Sequence, residues 1–421
     1  MFYEVKPVQN FKCTINVPGS KSMTNRALII GALAGCGTVL KNFLYSDDTL
    51  YMLDALRKLG YIIYDDKKAK TVVIEKPAQA PLKNSCFVGN SGTAIRFLAS
   101  LCAVTGGEVE LTGIERMKER PIGELAGVLE SLGAEVIFIE KEGFPPIRIK
   151  SKGLKGGKVS IRGDISSQFI SSVLLSAPYA EKDIEIEIEG ELVSKPYVDI
   201  TIQMMKEFGV NVENLNYQSF CIKAGQIYTP MGYEIESDCS SASYFFAAAA
   251  IANGDVTVQN ISPKTMQGDI KFVDILEEMG AKVERGTDYV RVIGGKLKGT
   301  TVDMHNISDV AQTLAVTALF ADGPTEIKNV YNMRLKETDR LKALTNELAK
   351  LGAVVEEKNN GIIIHPASSY QASEIETYDD HRMAMSFALV GLKIAGIKIA
   401  NPECVSKTFP TYFKELQKIY G

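Results

Sequence analysis

Residues 348–352 read LAKLG, and AVVEEKNNGIIIHP follows at 353–366. Leu348 and Leu351 fall on one face of a helix end, and Gly352 supplies the left-handed residue that closes many helices. Two apolar runs then flank Lys358-Asn359-Asn360-Gly361, a turn composition, so the segment predicts a helix stop followed by a β-hairpin. The same order occurs at LRKLG (56–60), LESLG (129–133), MKEFG (205–209) and LEEMG (276–280). Successive glycines lie 73, 76, 71 and 72 residues apart, and a weaker QKIYG closes the chain 69 residues after Gly352. This period exceeds the roughly 20–50 residues of common solenoid repeats. It predicts a mixed α/β unit of about two helices and several strands, repeated six times.

The chain has 421 residues, more than one hydrophobic core usually supports, so the six repeats are expected to group as two sets of three. The polar stretch 211–237 is where the chain passes between sets. Hydrophobic residues make up 45% and charged residues 23%, which excludes a disordered chain. A net charge of −4 argues against a dedicated nucleic-acid binder. No apolar run reaches the ~18 residues that span a bilayer. Seven scattered cysteines without CxxC, and no signal-like N-terminus, predict reduced thiols in a cytoplasmic protein.

Polar clusters precede the apolar helices: PGSKSMTNR, GNSGTAIR, GDISSQ, SDCSSAS, NISD, YNMRLKETDR and YDDHR. Ser, Asn and Asp there are ordinary N-caps. Cations in such places are not, because a helix start already carries partial positive charge. Lys21, Arg26, Arg96, Arg334, Lys336, Arg340 and Arg382 therefore suggest an external anion held by helix N-termini and guanidinium forks. The alternative is local pairing with Asp47, Asp48, Glu337 or Asp379, more natural for Arg334 than for Lys21. PGSKS is not a Walker A loop, no GxGxxG follows a strand, and the three histidines have no cysteine pair beside them. Asp47 and Asp48 read as solvated, cap-like acids, and no metal is expected.

Eleven segments in chain order carry a resemblance: PGSKSMTNRAL, SDDTLYML, GNSGTAIRFL, RMKERPIGEL, SSQFISSVLL, SKPYVDIT, SSASYFFAAAAI, NISDVAQTLAV, YNMRLKETDRL, YDDHRMAM and SKTFPTYF. They resemble the 5-enolpyruvylshikimate-3-phosphate synthase family of enolpyruvyl transferases. That resemblance implies an α/β fold of two similar domains, each of three βαβαββ units in an inside-out barrel-like arrangement. It implies domains at 19–234 and at 1–18 plus 235–421, closing over their ligands. The implied reaction moves the enolpyruvyl group of phosphoenolpyruvate to the 5-hydroxyl of shikimate 3-phosphate, releasing phosphate, in aromatic amino acid biosynthesis. The implied partners are these two small molecules, without nucleic acid, membrane, cofactor or metal, on a monomer.

Matched motif by motif, shikimate 3-phosphate is expected to meet Lys21, Ser22, Arg26, Ser166, Ser167, Gln168, Ser194, Tyr197, Asp309, Asn332 and Lys336. Phosphoenolpyruvate is expected to meet Lys21, Asn90, Gly92, Arg120, Gln168, Arg340, Arg382 and Lys407. Both ligands carry a phosphate and a carboxylate, so a locally basic crevice must offset their repulsion. Asp309 is the expected base for the hydroxyl; without the motif it reads as a first-turn acid. Glu337 is the expected acid toward the methylene carbon, with Lys21 as competitor. Glu337 could instead pair with Lys336 or Arg340 at the surface, and His381 could sit behind the site. Gly92 resembles the form of the family open to glyphosate. Two other functions compete. The sister transferase acting on UDP-N-acetylglucosamine uses a cysteine in the loop that here reads ERMKERPI, which has none. A non-catalytic binder would not need Asp309 and Glu337.

Overall fold

The computed structural model describes residues 2–35, 37–75 and 83–421. They form two compact units, residues 19–236 and residues 1–18 with 237–421. Each unit has its own continuous apolar core.

The five helix ends adopt one geometry. Gly60, Gly133, Gly209, Gly280 and Gly352 have φ of 92°, 102°, 89°, 119° and 99°. The residue after each glycine donates its N–H to the carbonyl five positions back: Tyr61 to Leu56, Ala134 to Leu129, Val210 to Met205, Ala281 to Leu276 and Ala353 to Leu348, at 2.8–3.2 Å. This is the Schellman closure, which satisfies carbonyls the helix leaves unpaired. The first apolar residue of every signature is buried. Truncating one such leucine to alanine costs about 2–5 kcal/mol. An antiparallel hairpin follows each cap, as in Val354–Lys358 with Gly361–His365. In the weaker QKIYG, Gln417–Tyr420 forms a 3-10 turn.

Each hairpin belongs to a small sheet that also contains one parallel pair. Lys83–Phe87 runs parallel to Gly107–Thr112, which pairs antiparallel with Ile147–Ser151 and then Glu135–Phe138. The parallel pair spans a helix, Gly92–Thr105, in the usual βαβ manner. Two other sheets repeat this locally, at 157–222 and 301–365. Three are completed from far along the chain. Gly232–Glu234 joins Thr38–Lys41 in the first unit, and Lys12–Asn16 joins Asp255–Gln259 in the second. Phe2–Glu4 pairs antiparallel with Lys398–Ala400, on the side that a hairpin strand takes in the other sheets.

Three apolar helices lie inside each unit: Lys21–Ala34, Gly92–Thr105 and Ser167–Ser176 in one, Cys239–Ala252, Ala311–Ala318 and His381–Ala388 in the other. All fourteen residues of Cys239–Ala252 are buried, including Cys239, so this apolar run is a core helix. Among the described residues, no helix is long and apolar enough to cross a membrane.

Candidate active site

In the first unit, side-chain hydrogen bonds tie the three buried helix starts together. Ser100 and Ser172 meet at 2.6 Å where Gly92–Thr105 crosses Ser167–Ser176, small residues that permit a close approach. One turn earlier, Arg96 donates to the Gln168 side-chain oxygen and, at 3.0 Å, to the Pro121 carbonyl. The Gln168 amide donates to Thr93 at 3.2 Å, and Ser166 caps its helix through the Gln168 N–H. Thus Ser166, Ser167 and Gln168 open one helix beside Asn90 and Gly92 at the opening of another.

Arg26 is buried and donates to Thr201 (2.7 Å), Ser22 O (2.8 Å), Ser171 (3.2 Å) and Tyr197 O (3.0 Å). It thereby links Lys21–Ala34 to Lys195–Glu207, whose start is Ser194 with φ of 55°. Burial lowers the Arg26 pKa to about 10, opposed by Tyr197. Arg120 donates to the Asn90 carbonyl (2.8 Å) and side chain (3.2 Å), and its guanidinium lies across Gly92. A Cβ on Gly92 would fall 2.4 Å from Arg120 Nη2.

Lys21 does not stand apart from local acids as expected: its Nζ is 3.3 Å from Asp48 Oδ2. Asp48 is buried rather than solvated, because it opens Asp47–Lys58 facing that lysine; Asp47 is exposed. Arg334 pairs with Asp339 and Glu357 at 2.9 and 2.8 Å, the local role that its neighbours suggested.

The second unit gathers the other expected residues around Asp309. That carboxylate receives Lys336 Nζ at 3.3 Å, Arg340 Nη1 at 3.3 Å and Arg382 Nη2 at 3.0 Å. It lies in a 3-10 turn, Ser308–Val310, and faces three cations rather than capping a helix. Asn332 donates to Ser308 beside it at 3.1 Å. Glu337 is buried, 2.9 Å from Arg340 and 3.8 Å from Lys407, so it is no surface ion-pair partner. Arg340 also grips Asp380 through Nε (2.7 Å) and Nη2 (3.2 Å). Burial opposes the Arg340 charge, but Asp380, Glu337 and Asp309 push its pKa above the ordinary value. Burial lowers the pKa of Lys336, while Asp309 works to raise it. His381 is buried, its Nδ1 3.7 Å from Asp380.

Two acids of this cluster carry no expected role. Asp380 was legible only as a neighbour of Arg382 in YDDHR, and Asp269 had no signal in the sequence. Asp269 accepts from Ser240 at the start of Cys239–Ala252. Burial, and then Asp309, raise its pKa to about 6, while Arg382 pulls it down. Among the described residues, no group of three or more His, Cys, Asp or Glu is arranged to hold a metal.

Chemically, the first unit offers several cations and helix N-termini suited to anions. The second offers a carboxylate among three cations, beside a second buried carboxylate. The family model for EPSP synthase (3-phosphoshikimate 1-carboxyvinyltransferase) matches residues 5–416. A protein described as 3-phosphoshikimate 1-carboxyvinyltransferase from Sulfurovum sp. (strain NBC37-1) is 50% identical over 99% of this chain and 98% of its own. Proteins of the same description from Vibrio campbellii and Actinobacillus pleuropneumoniae serotype 3 are 51% and 52% identical, over 99% and 98% of this chain and 98% of each. A solved structure of EPSP synthase from Acinetobacter baumannii is similar at a TM-score of 0.81 and 27% identity, covering 99% of this chain and 98% of that one. By likeness over its whole length, in sequence and in fold, the chain belongs to the EPSP synthase (3-phosphoshikimate 1-carboxyvinyltransferase) family.

Proposed function

We propose that this chain transfers the enolpyruvyl group of phosphoenolpyruvate to the 5-hydroxyl of shikimate 3-phosphate by addition and elimination through a tetrahedral intermediate. What carries the assignment of roles is Asp309, a carboxylate met by Lys336, Arg340 and Arg382. Such surroundings favour the ionised form that a base requires. Asp309 takes the proton of the 5-hydroxyl as that oxygen attacks C2 of phosphoenolpyruvate. Glu337 enters this step protonated and delivers that proton to the methylene carbon, with Lys21 as the competing donor. Loss of a proton from that carbon then expels phosphate.

Shikimate 3-phosphate is held by Lys21, Ser22, Arg26, Ser166, Ser167, Gln168, Ser194, Tyr197, Asp309, Asn332 and Lys336. Arg26 adds charge and fixes the Ser22 and Tyr197 carbonyls. Phosphoenolpyruvate is held by Lys21, Asn90, Gly92, Arg120, Gln168, Arg340, Arg382 and Lys407. Cations at helix starts support these assignments, because each ligand brings a phosphate and a carboxylate. Residues 19–234, and 1–18 with 235–421, are taken as the two domains. One chain in the cytoplasm is the working form, and turnover is expected to survive a chelator.

Phosphate release with phosphoenolpyruvate as donor tests the proposal. Release with shikimate 3-phosphate and not with UDP-N-acetylglucosamine is the expected result. Release with the sugar nucleotide, or with neither acceptor, would overturn it. In the active enzyme, Asp309→Asn should lower kcat by about 10²–10⁴-fold, the usual worth of a positioned acid or base.

A further inference from the structure

The turn leading to Arg382 is held in an unfavourable backbone form. Tyr378 and Asp379 have φ of 53° and 54°, two consecutive left-handed residues with side chains. A hydrogen bond from Asp380 N to Thr377 O, 2.8 Å, closes the turn. Positive φ at both central positions is normally left to Gly, Asn or Asp, so Asp379 suits its place, while the ring-bearing Tyr378 is strained. Such strain persists only where surroundings over-determine it, and it gathers at functional sites.

The surroundings here are specific. Glu347 is fully buried on Arg340–Lys350 and accepts Tyr378 Oη at 2.7 Å through Oε1. Its Oε2 accepts Glu376 N at 3.0 Å and Lys350 Nζ at 2.8 Å. Asn346 donates to Tyr378 Oη at 3.3 Å, and Tyr378 N donates to Glu376 Oε1 at 3.2 Å. Asn401 donates to Asp379 at 3.1 Å. Arg340 and Glu347 lie seven residues apart, hence on one face of their helix. That face therefore grips the turn twice, Glu347 at Tyr378 and Arg340 at Asp380. Beyond the turn, Asp380 accepts the Arg382 N–H at 2.8 Å, and Arg382 reaches Asp309.

We propose that Tyr378 and Glu347 are positioning residues: their hydrogen bond keeps the strained turn closed, and so aims Asp380 at Arg340 and Arg382 at Asp309. The kinetic side rests on the assignment of Arg382 to phosphoenolpyruvate above. Tyr378→Phe keeps the ring and removes the hydroxyl; Glu347→Met keeps the length and removes the accepting oxygens. Steady-state kinetics with both substrates, together with hydrogen exchange at the Asp380 and Arg382 amides, test the idea below the melting range of each variant. In Tyr378→Phe, KM for phosphoenolpyruvate should rise about tenfold, on the scale of small misplacements in such sites, with KM for shikimate 3-phosphate within about twofold. The two amides should exchange about tenfold faster, while the Cys239–Ala252 helix is unchanged. The double variant should be no worse than the poorer single one, because both break one contact. Equal rises in both KM values, additive losses, or unchanged exchange would overturn the proposal. If the parent enzyme releases no phosphate with these substrates, the function assigned above fails, and the exchange arm alone decides this one.

Discussion

Replacing Gly92 by alanine should weaken phosphoenolpyruvate use without weakening the fold. Gly92 opens the helix Gly92–Thr105 and is absent from the positive-φ glycines, so alanine can adopt its backbone. Alanine is also the better helix former, by up to about 1 kcal/mol inside a helix and less at its first position. The new Cβ would lie 2.4 Å from Arg120 Nη2, 2.7 Å from Cζ and 2.9 Å from Nη1. Ordinary contact begins near roughly 3.5 Å, so the guanidinium must retreat by about 1 Å. Its bonds to Asn90, 2.8 and 3.2 Å long, then lengthen or break. A shift of this size in a preorganised site can cost about 10²-fold. We expect kcat/KM for phosphoenolpyruvate to fall by about 10–100-fold, with KM for shikimate 3-phosphate little changed and the melting temperature level or slightly higher. Phosphate release at saturating shikimate 3-phosphate, with phosphoenolpyruvate varied, reads the effect; differential scanning fluorimetry reads the fold. Unchanged KM for phosphoenolpyruvate would refute the reasoning, and so would a matching loss for both substrates.

Arg340→Ala should destabilise the protein by about 3–5 kcal/mol in denaturant unfolding, because it leaves Asp380 and Glu337 buried with donors removed. Asp269 should shape stability against pH. Its folded pKa, about 6, lies above the ordinary 3.8, so the fold keeps a proton that the unfolded chain releases between those values. Its contribution therefore falls as pH rises through that window, and Asp269→Asn should flatten the decline in melting temperature. Gly127 and Gly280 should respond oppositely to alanine. Gly127 is exposed in the helix Gly123–Ser131 with open space beside it, so substitution should stabilise by about 1 kcal/mol. Gly280 has φ of 119°, and a Cβ would meet the Lys296 carbonyl at 2.6 Å, so substitution should cost at least about 1 kcal/mol.

Local chemistry made much of this protein legible in advance. A buried residue four before the glycine, another directly before it and the glycine itself are what one Schellman closure needs, and all three lie within five positions. The polar segments before apolar helices were equally local. Charge partnership was harder to read. Lys21 meets Asp48 across two helices, and Asp269 belongs to the Asp309 cluster from a turn with no distinctive pattern. The Tyr378–Asp379 turn was also invisible, because Asp379 is compatible with many local forms and tyrosine does not announce a left-handed backbone.

By itself the sequence determined the repetition, the helix stops with their hairpins, and the polar, cation-bearing segments before apolar helices, since each follows from neighbours a few positions apart. Tertiary structure alone decided which distant strands complete three of the sheets, as when Phe2–Glu4 pairs with Lys398–Ala400. It likewise decided that Lys336, Arg340 and Arg382 converge on one carboxylate. The physical reason is separation: backbone hydrogen bonds and charge pairs between remote segments depend on how whole elements pack, and no short pattern along the chain encodes their distance.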